Sequence, residues 1–128
     1  MTTPRFALLA GCIAGAFGVV LGAFGAHALR GVLDGDALGV WRTAVDYEFW
    51  HALALLAVAA AARARPTRAL TIAAVAFALG TVLFCASLYA LALGAPRAFG
   101  LVTPFGGVAL LAGWLAFAVH AARAAKPQ

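Results

Sequence analysis

Tyr47, Glu48 and His51 place a phenol, a carboxyl and an imidazole within one short stretch of chain. At about 100° per residue on a helix the three share an arc of about 100°, while Asp46 points away from it. Such a face can hold a hydrogen-bonded partner, relay a proton or ligate a metal. Glu48-Phe49-Trp50-His51 also has the Glu-x-x-His spacing of carboxylate-bridged metal sites in helical bundles. Those sites need a second copy and further glutamates, and the chain has neither. A mononuclear site from His27, Glu48 and His51 is the remaining arrangement, but His27 lies almost opposite the packing face of its own helix. No metal site and no cofactor are assigned.

Other reactive patterns are missing. Cys85 sits among Leu, Phe and Ala with no basic neighbour to favour a thiolate, which describes an inert buried thiol. Cys12 lies early in the first apolar run and Cys85 late in the third, so a disulfide is not expected. There is no phosphate-cradling glycine motif, no Ser/His/Asp pattern and no CxxC.

The elements that carry these residues are membrane spans. Residues 6–29 contain no Asp, Glu, Lys or Arg, and a helix of that length crosses the roughly 30 Å hydrocarbon core of a bilayer. The small-x-small pattern of Ala26-His27-Ala28 resembles a signal cleavage site, but the apolar run is too long for a signal peptide and another span follows. Further apolar segments cover about 43–62, 69–93 and 104–122. The chain is therefore expected to form a single membrane domain over residues 1–128, an all-α, antiparallel four-transmembrane-helix bundle. Thr103-Pro104 reads as a cap with proline in the first helical position, and Thr43 with Asp46 resembles a capping box. Gly11, Gly15, Gly18, Gly22 and Gly25 alternate spacings of four and three, giving one stripe on which a neighbouring helix can approach closely. Gly80 and Gly113 belong to similar faces rich in small residues on the third and fourth spans.

Composition agrees. Hydrophobic residues make up 66% of the chain and charged residues 10%, against about 25% charged in soluble domains. The net charge of +5 does not indicate nucleic acid, because no basic stripe with interleaved aromatics exists. The basic residues act instead as topology determinants. Arg5, Arg63, Arg65, Arg68, Arg123 and Lys126 fall on the side holding both termini, and Arg30, Arg42 and Arg97 on the other. Both termini are accordingly expected in the cytoplasm, with the bilayer as the immediate partner.

With that orientation nearly all polar groups lie in the outer half. His27 ends the first helix, Tyr47, Glu48 and His51 occupy the early turns of the second, and Ser87 and Tyr89 lie in the outer half of the third. These six residues form the candidate polar cluster. Structural explanations compete with function: Asp46 suits a helix N-terminus and faces Arg42 one turn back, and Tyr47, Trp50 and Tyr89 suit a membrane interface. Glu48 and His51 lie deeper, where ionisable groups face a partner or a cavity.

The chain resembles the YgdD-like family of small bacterial inner-membrane proteins of unknown function. The resemblance is carried by Leu21-Gly22-Ala23-Phe24-Gly25-Ala26-His27, by Tyr47 with His51, by Ala78-Leu79-Gly80-Thr81-Val82-Leu83-Phe84 with Ser87-Leu88-Tyr89, and by Thr103-Pro104, Gly106-Gly107 and Leu111-Ala112-Gly113-Trp114. It touches all four spans in order. It implies a four-helix inner-membrane protein and supplies no substrate, reaction or cofactor. Within the family pattern Gln is frequent where this chain has Glu48, and Ser where it has Cys85. Both departures weaken metal and thiol chemistry and favour His27, Tyr47 and His51.

The leading expectation is a nonenzymatic protein whose packing faces and outer polar cluster serve assembly, as a homo-oligomer or in a larger membrane complex. The alternative is an oligomeric small-solute transporter or channel, against which the polar residues stop about halfway across. A metal or redox protein using the His/Tyr/Glu cluster ranks third.

Overall fold

The computed structural model describes residues 1–124; Lys126, used above to weigh orientation, lies outside them. The chain forms four long helices, α1 (Thr3–His27), α2 (Gly35–Ala64), α3 (Arg68–Ala92) and α4 (Val102–Ala124), with a 3-10 turn at Arg97–Leu101 leading into the last. Each is long and apolar enough to cross a membrane, and together they form an all-α four-helix bundle. Consecutive helices run antiparallel and pack as neighbours in chain order, with a lighter contact between α1 and α3. The α1–α2 and α3–α4 connections share one end of the bundle, the loop end; the start of α1 and the end of α4 lie at the other, the terminal end.

Two boundaries differ from the sequence expectation. Helix α2 starts at Gly35, not near Thr43, because Asp34 caps it by accepting the Ala37 N–H at 2.8 Å. Thr43 is interior and donates its hydroxyl to the Gly39 carbonyl, so the expected Thr43/Asp46 capping box does not form. With 30 residues α2 is about 45 Å long, enough to pass beyond the hydrocarbon layer. Helix α4 starts at Val102 as a continuation of the 3-10 turn. Thr103 is therefore helical, and its hydroxyl goes to Ser87 instead of capping.

Sharp turns set the antiparallel order. Pro66 follows the last residues of α2, and Thr67 caps α3 by accepting the Leu70 N–H. At the far end of α3, the Gly94 N–H bonds the Leu91 carbonyl and the Ala95 N–H bonds that of Ala90. That pair of bonds is a Schellman motif, and it needs the left-handed φ of +88° that Gly94 adopts.

The core lies mainly between α2 and α3, where Leu55, Val58, Leu70 and Phe77 are fully buried. Glycines bring the flanking helices in. Gly11, Gly18 and Gly25 of α1 lie against Leu56, the Phe49 ring and the Trp41 indole of α2, and an added Cβ would come within 2.9, 3.1 and 2.5 Å of them. Gly22 faces Val45 more loosely, and Gly15 is only in ordinary contact range of Ala52. On the other flank Gly80 meets the side chain and the main-chain nitrogen of Leu110, Gly106 meets the main chain of Phe84, and Gly113 meets the Phe77 ring.

Candidate functional site

The six candidate residues do not form one cluster. They divide among three helix interfaces and an exposed end, because Tyr47 and His51 fall on one side of the α2–α3 contact and Glu48 on the other.

His51, 4% exposed, sits on the α4 side. Its Nε2 accepts the indole N–H of Trp114 at 3.1 Å, and its Nδ1 lies 2.7 Å from the Tyr47 carbonyl. Indole is only a donor, so Nε2 must carry a lone pair and the ring proton sits on Nδ1, donated to Tyr47. Both ring nitrogens are thus engaged within the protein. Aromatic rings pack around the pair: Phe77 lies 5.6 Å from His51 and 5.1 Å from Trp114, and Tyr47 stacks on Phe84 at 4.5 Å.

Glu48, also buried, faces the α1 side and accepts the Tyr89 phenol on Oε2 at 2.6 Å. Tyr89 is held by the Trp41 ring at 4.5 Å, and the Trp41 indole donates to the Leu21 carbonyl of α1 at 2.9 Å. Gly25, one turn after Leu21, lies directly under that indole. The absence of a side chain there uncovers the Leu21 carbonyl, so two hydrogen bonds, Trp41 to Leu21 and Tyr89 to Glu48, are joined by the Trp41–Tyr89 ring contact and tie α1, α2 and α3 together.

Ser87 joins α3 to α4. It donates to the Phe84 carbonyl at 2.9 Å, so with its single proton committed it accepts from Thr103 at 2.7 Å. His27 joins none of these groups. It is exposed at the end of α1, beside a cleft lined by Arg30, Arg42 and Asp46. The mononuclear arrangement of His27, Glu48 and His51 is accordingly not assembled, and among the described residues no three His, Cys, Asp or Glu side chains converge as a metal site.

Sequence reasoning gave Trp41 and Trp114 no role in this network. A signal for Trp114 existed: it lies in the middle of a span, away from the interfaces where tryptophan usually sits, and an indole N–H in hydrocarbon needs an acceptor. At the terminal end, Thr67 and His120 bond across α3 and α4 at 3.1 Å.

Residues 21–107 match a family described as "Protein of unknown function (DUF423)". The chain belongs to this family. It is 44% identical over 121 residues to the UPF0382 inner membrane protein YgdD of Escherichia coli strain K12, covering 94% of this chain and 92% of the relative. The UPF0382 membrane protein YwdK of Bacillus subtilis strain 168 is 38% identical over 117 residues, covering 91% and 95%. A UPF0382 membrane protein of Haemophilus influenzae is 39% identical over 106 residues, covering 83% and 85%. No solved structure matches the chain. The family is one of membrane proteins without an assigned activity, and that description holds for this chain.

Proposed function

We propose that this is a nonenzymatic protein of the bacterial inner membrane, with both termini in the cytoplasm, that works by assembly with a second copy or with a helix of a larger membrane complex. The observation that carries the reading is the open side of the bundle. Because α2 and α4 are not packed neighbours, a groove of about 650 Å³ runs between them, with Trp50, Leu53, Leu111 and Gly107 along it. Trp50, Leu53 and Leu111 are each more than half exposed, and Gly107 leaves room for close helix approach. The glycine stripe of α1 does not contribute, since it is turned onto α2 inside the molecule. The transport alternative gains nothing from His51, Glu48, Tyr89 and Ser87, whose hydrogen bonds lie on separate interfaces. Basic residues at the terminal end support the orientation.

Photocrosslinking from position 111, in native membranes at native expression, tests the reading. Wild type should give one discrete adduct, and Gly107→Phe, which fills the groove, should remove it while thermal stability in detergent is retained. A protein that yields no adduct and purifies as a monomer without a stoichiometric companion would sink the reading.

A further inference from the structure

On the opposite side, α1, α2 and α3 border a second groove of about 490 Å³, within the roughly 300–1,000 Å³ typical of small-molecule sites. Its rim is apolar and open to the bilayer, with Ile13, Phe17 and Val82 each more than half exposed. The interior is not wholly apolar. Thr81, Cys85 and Tyr89 recur every four residues and so line one edge in a row. Thr81 is only 6% exposed, yet its Oγ1 has no hydrogen-bond partner among the described residues. A helical threonine commonly returns its hydroxyl to the carbonyl one turn back; here it does not, and an unmade buried hydrogen bond is costly. From α2, Glu48 reaches the same groove with Oε2 accepting from Tyr89.

Charge narrows the ligand. Among the described residues no Lys, Arg or His lines this groove, so a phosphate headgroup would meet a carboxyl with no cation to offset it in a medium that screens little. A neutral headgroup that both donates and accepts fits: a donor for the Glu48 carboxyl and an acceptor for the Thr81 hydroxyl. We propose that the α1–α3 groove binds a neutral, hydroxyl-headed lipid of the diacylglycerol type, entering sideways from the bilayer. The glycerol hydroxyl donates to Glu48, an ester carbonyl accepts from Thr81, and the acyl chains lie along Ile13, Phe17 and Val82. This site is separate from the assembly groove, so either reading can fail without the other.

The test uses the full chain in phosphatidylcholine nanodiscs with a diacylglycerol carrying a photoactivatable acyl chain. Labelling should saturate, map to peptides holding Phe17 and Val82, and be competed by dioctanoylglycerol but not by phosphatidate with the same chains. Thr81→Val, which keeps the shape and removes the hydroxyl, should weaken competition about three- to tenfold. Ala86→Phe, which fills the groove from an exposed position, should abolish labelling without lowering thermal stability. Non-saturable labelling, or equal competition by phosphatidate, overturns the proposal. Competition by tetraphenylphosphonium that disappears in Glu48→Gln overturns it in favour of a cation site.

Discussion

The indole of Trp114 donates to Nε2 of His51 across 3.1 Å, a polar link between two helices that are not packed neighbours. Removing the acceptor leaves an indole N–H facing hydrocarbon. Interhelical hydrogen bonds in membranes average about 0.6 kcal/mol and reach about 1.7 kcal/mol. His51→Leu should therefore lower stability by about 1 kcal/mol, His51→Gln by less, and a cycle with Trp114→Phe should give a coupling of about 0.5–1.5 kcal/mol. Unfolding in detergent measures it; additive single effects would remove the bond from the account.

Gly25 and Trp41 act as one unit. The indole reaches the Leu21 carbonyl only because Gly25 has no side chain, and a Cβ there would lie 2.5 Å from the ring. Gly25→Ala should cost about 1–3 kcal/mol by overpacking and should displace Trp41, shifting its fluorescence as the hydrogen bond is lost. Gly15→Ala, with its nearest contact at 4.0 Å, should be neutral or stabilising by up to about 1 kcal/mol. Equal losses from the two variants would mean that the stripe is not discriminating in this way.

The fold was largely legible because hydropathy reports depth and glycine spacing reports a helix face. Depth does not report which neighbour a side chain meets. Tyr47, Glu48 and His51 were correctly placed on one arc of α2, but that arc straddles α3, so a spread of about 100° sends Glu48 to Tyr89 and His51 to Trp114. Gly113 marks the face of α4 that packs on α3, and a mid-span indole calls for an acceptor, but nothing in the apolar remainder of α4 says that the acceptor of Trp114 is His51. The start of α2 was missed for a different reason: Asp34 extends the helix past the apolar segment by a local cap, and hydropathy is blind to caps.

Neighbouring glycines on α4 should differ sharply. Gly106 lies against the main chain of Phe84, which cannot rotate aside, whereas Gly107 meets only the edge of the Phe84 ring at 3.9 Å. Gly106→Ala should therefore destabilise by at least about 1–3 kcal/mol, and Gly107→Ala should be tolerated. Thermal denaturation of the two variants in one detergent decides it; a stable Gly106→Ala would mean that α3 and α4 are not in main-chain contact at Phe84.

At Glu48 the relevant property is an acceptor oxygen for the Tyr89 phenol. Glu48→Gln keeps that oxygen and should change stability by less than about 0.5 kcal/mol, whereas Glu48→Leu strands the phenol and should cost about 1–3 kcal/mol. Loss of folding in Glu48→Gln would mean that the carboxyl itself is required.

Orientation follows from where the basic residues fall. Arg63, Arg65 and Arg68 crowd the short α2–α3 connection and Arg123 lies near the end of α4, while Arg30 at the loop end is close in sequence to Asp34 and Asp36. Lys and Arg are retained on the cytoplasmic side, so the α2–α3 connection should lie in the cytoplasm and Gly35 should face the periplasm. Single cysteines at Gly35 and Ala124, both exposed, can be compared in a background without Cys12 and Cys85. In intact spheroplasts an impermeant thiol reagent should modify the cysteine at 35 and should reach the one at 124 only after permeabilisation. The reverse pattern would invert the bundle in the membrane and move the loop-end cleft with Arg30 and Arg42 to the cytoplasm.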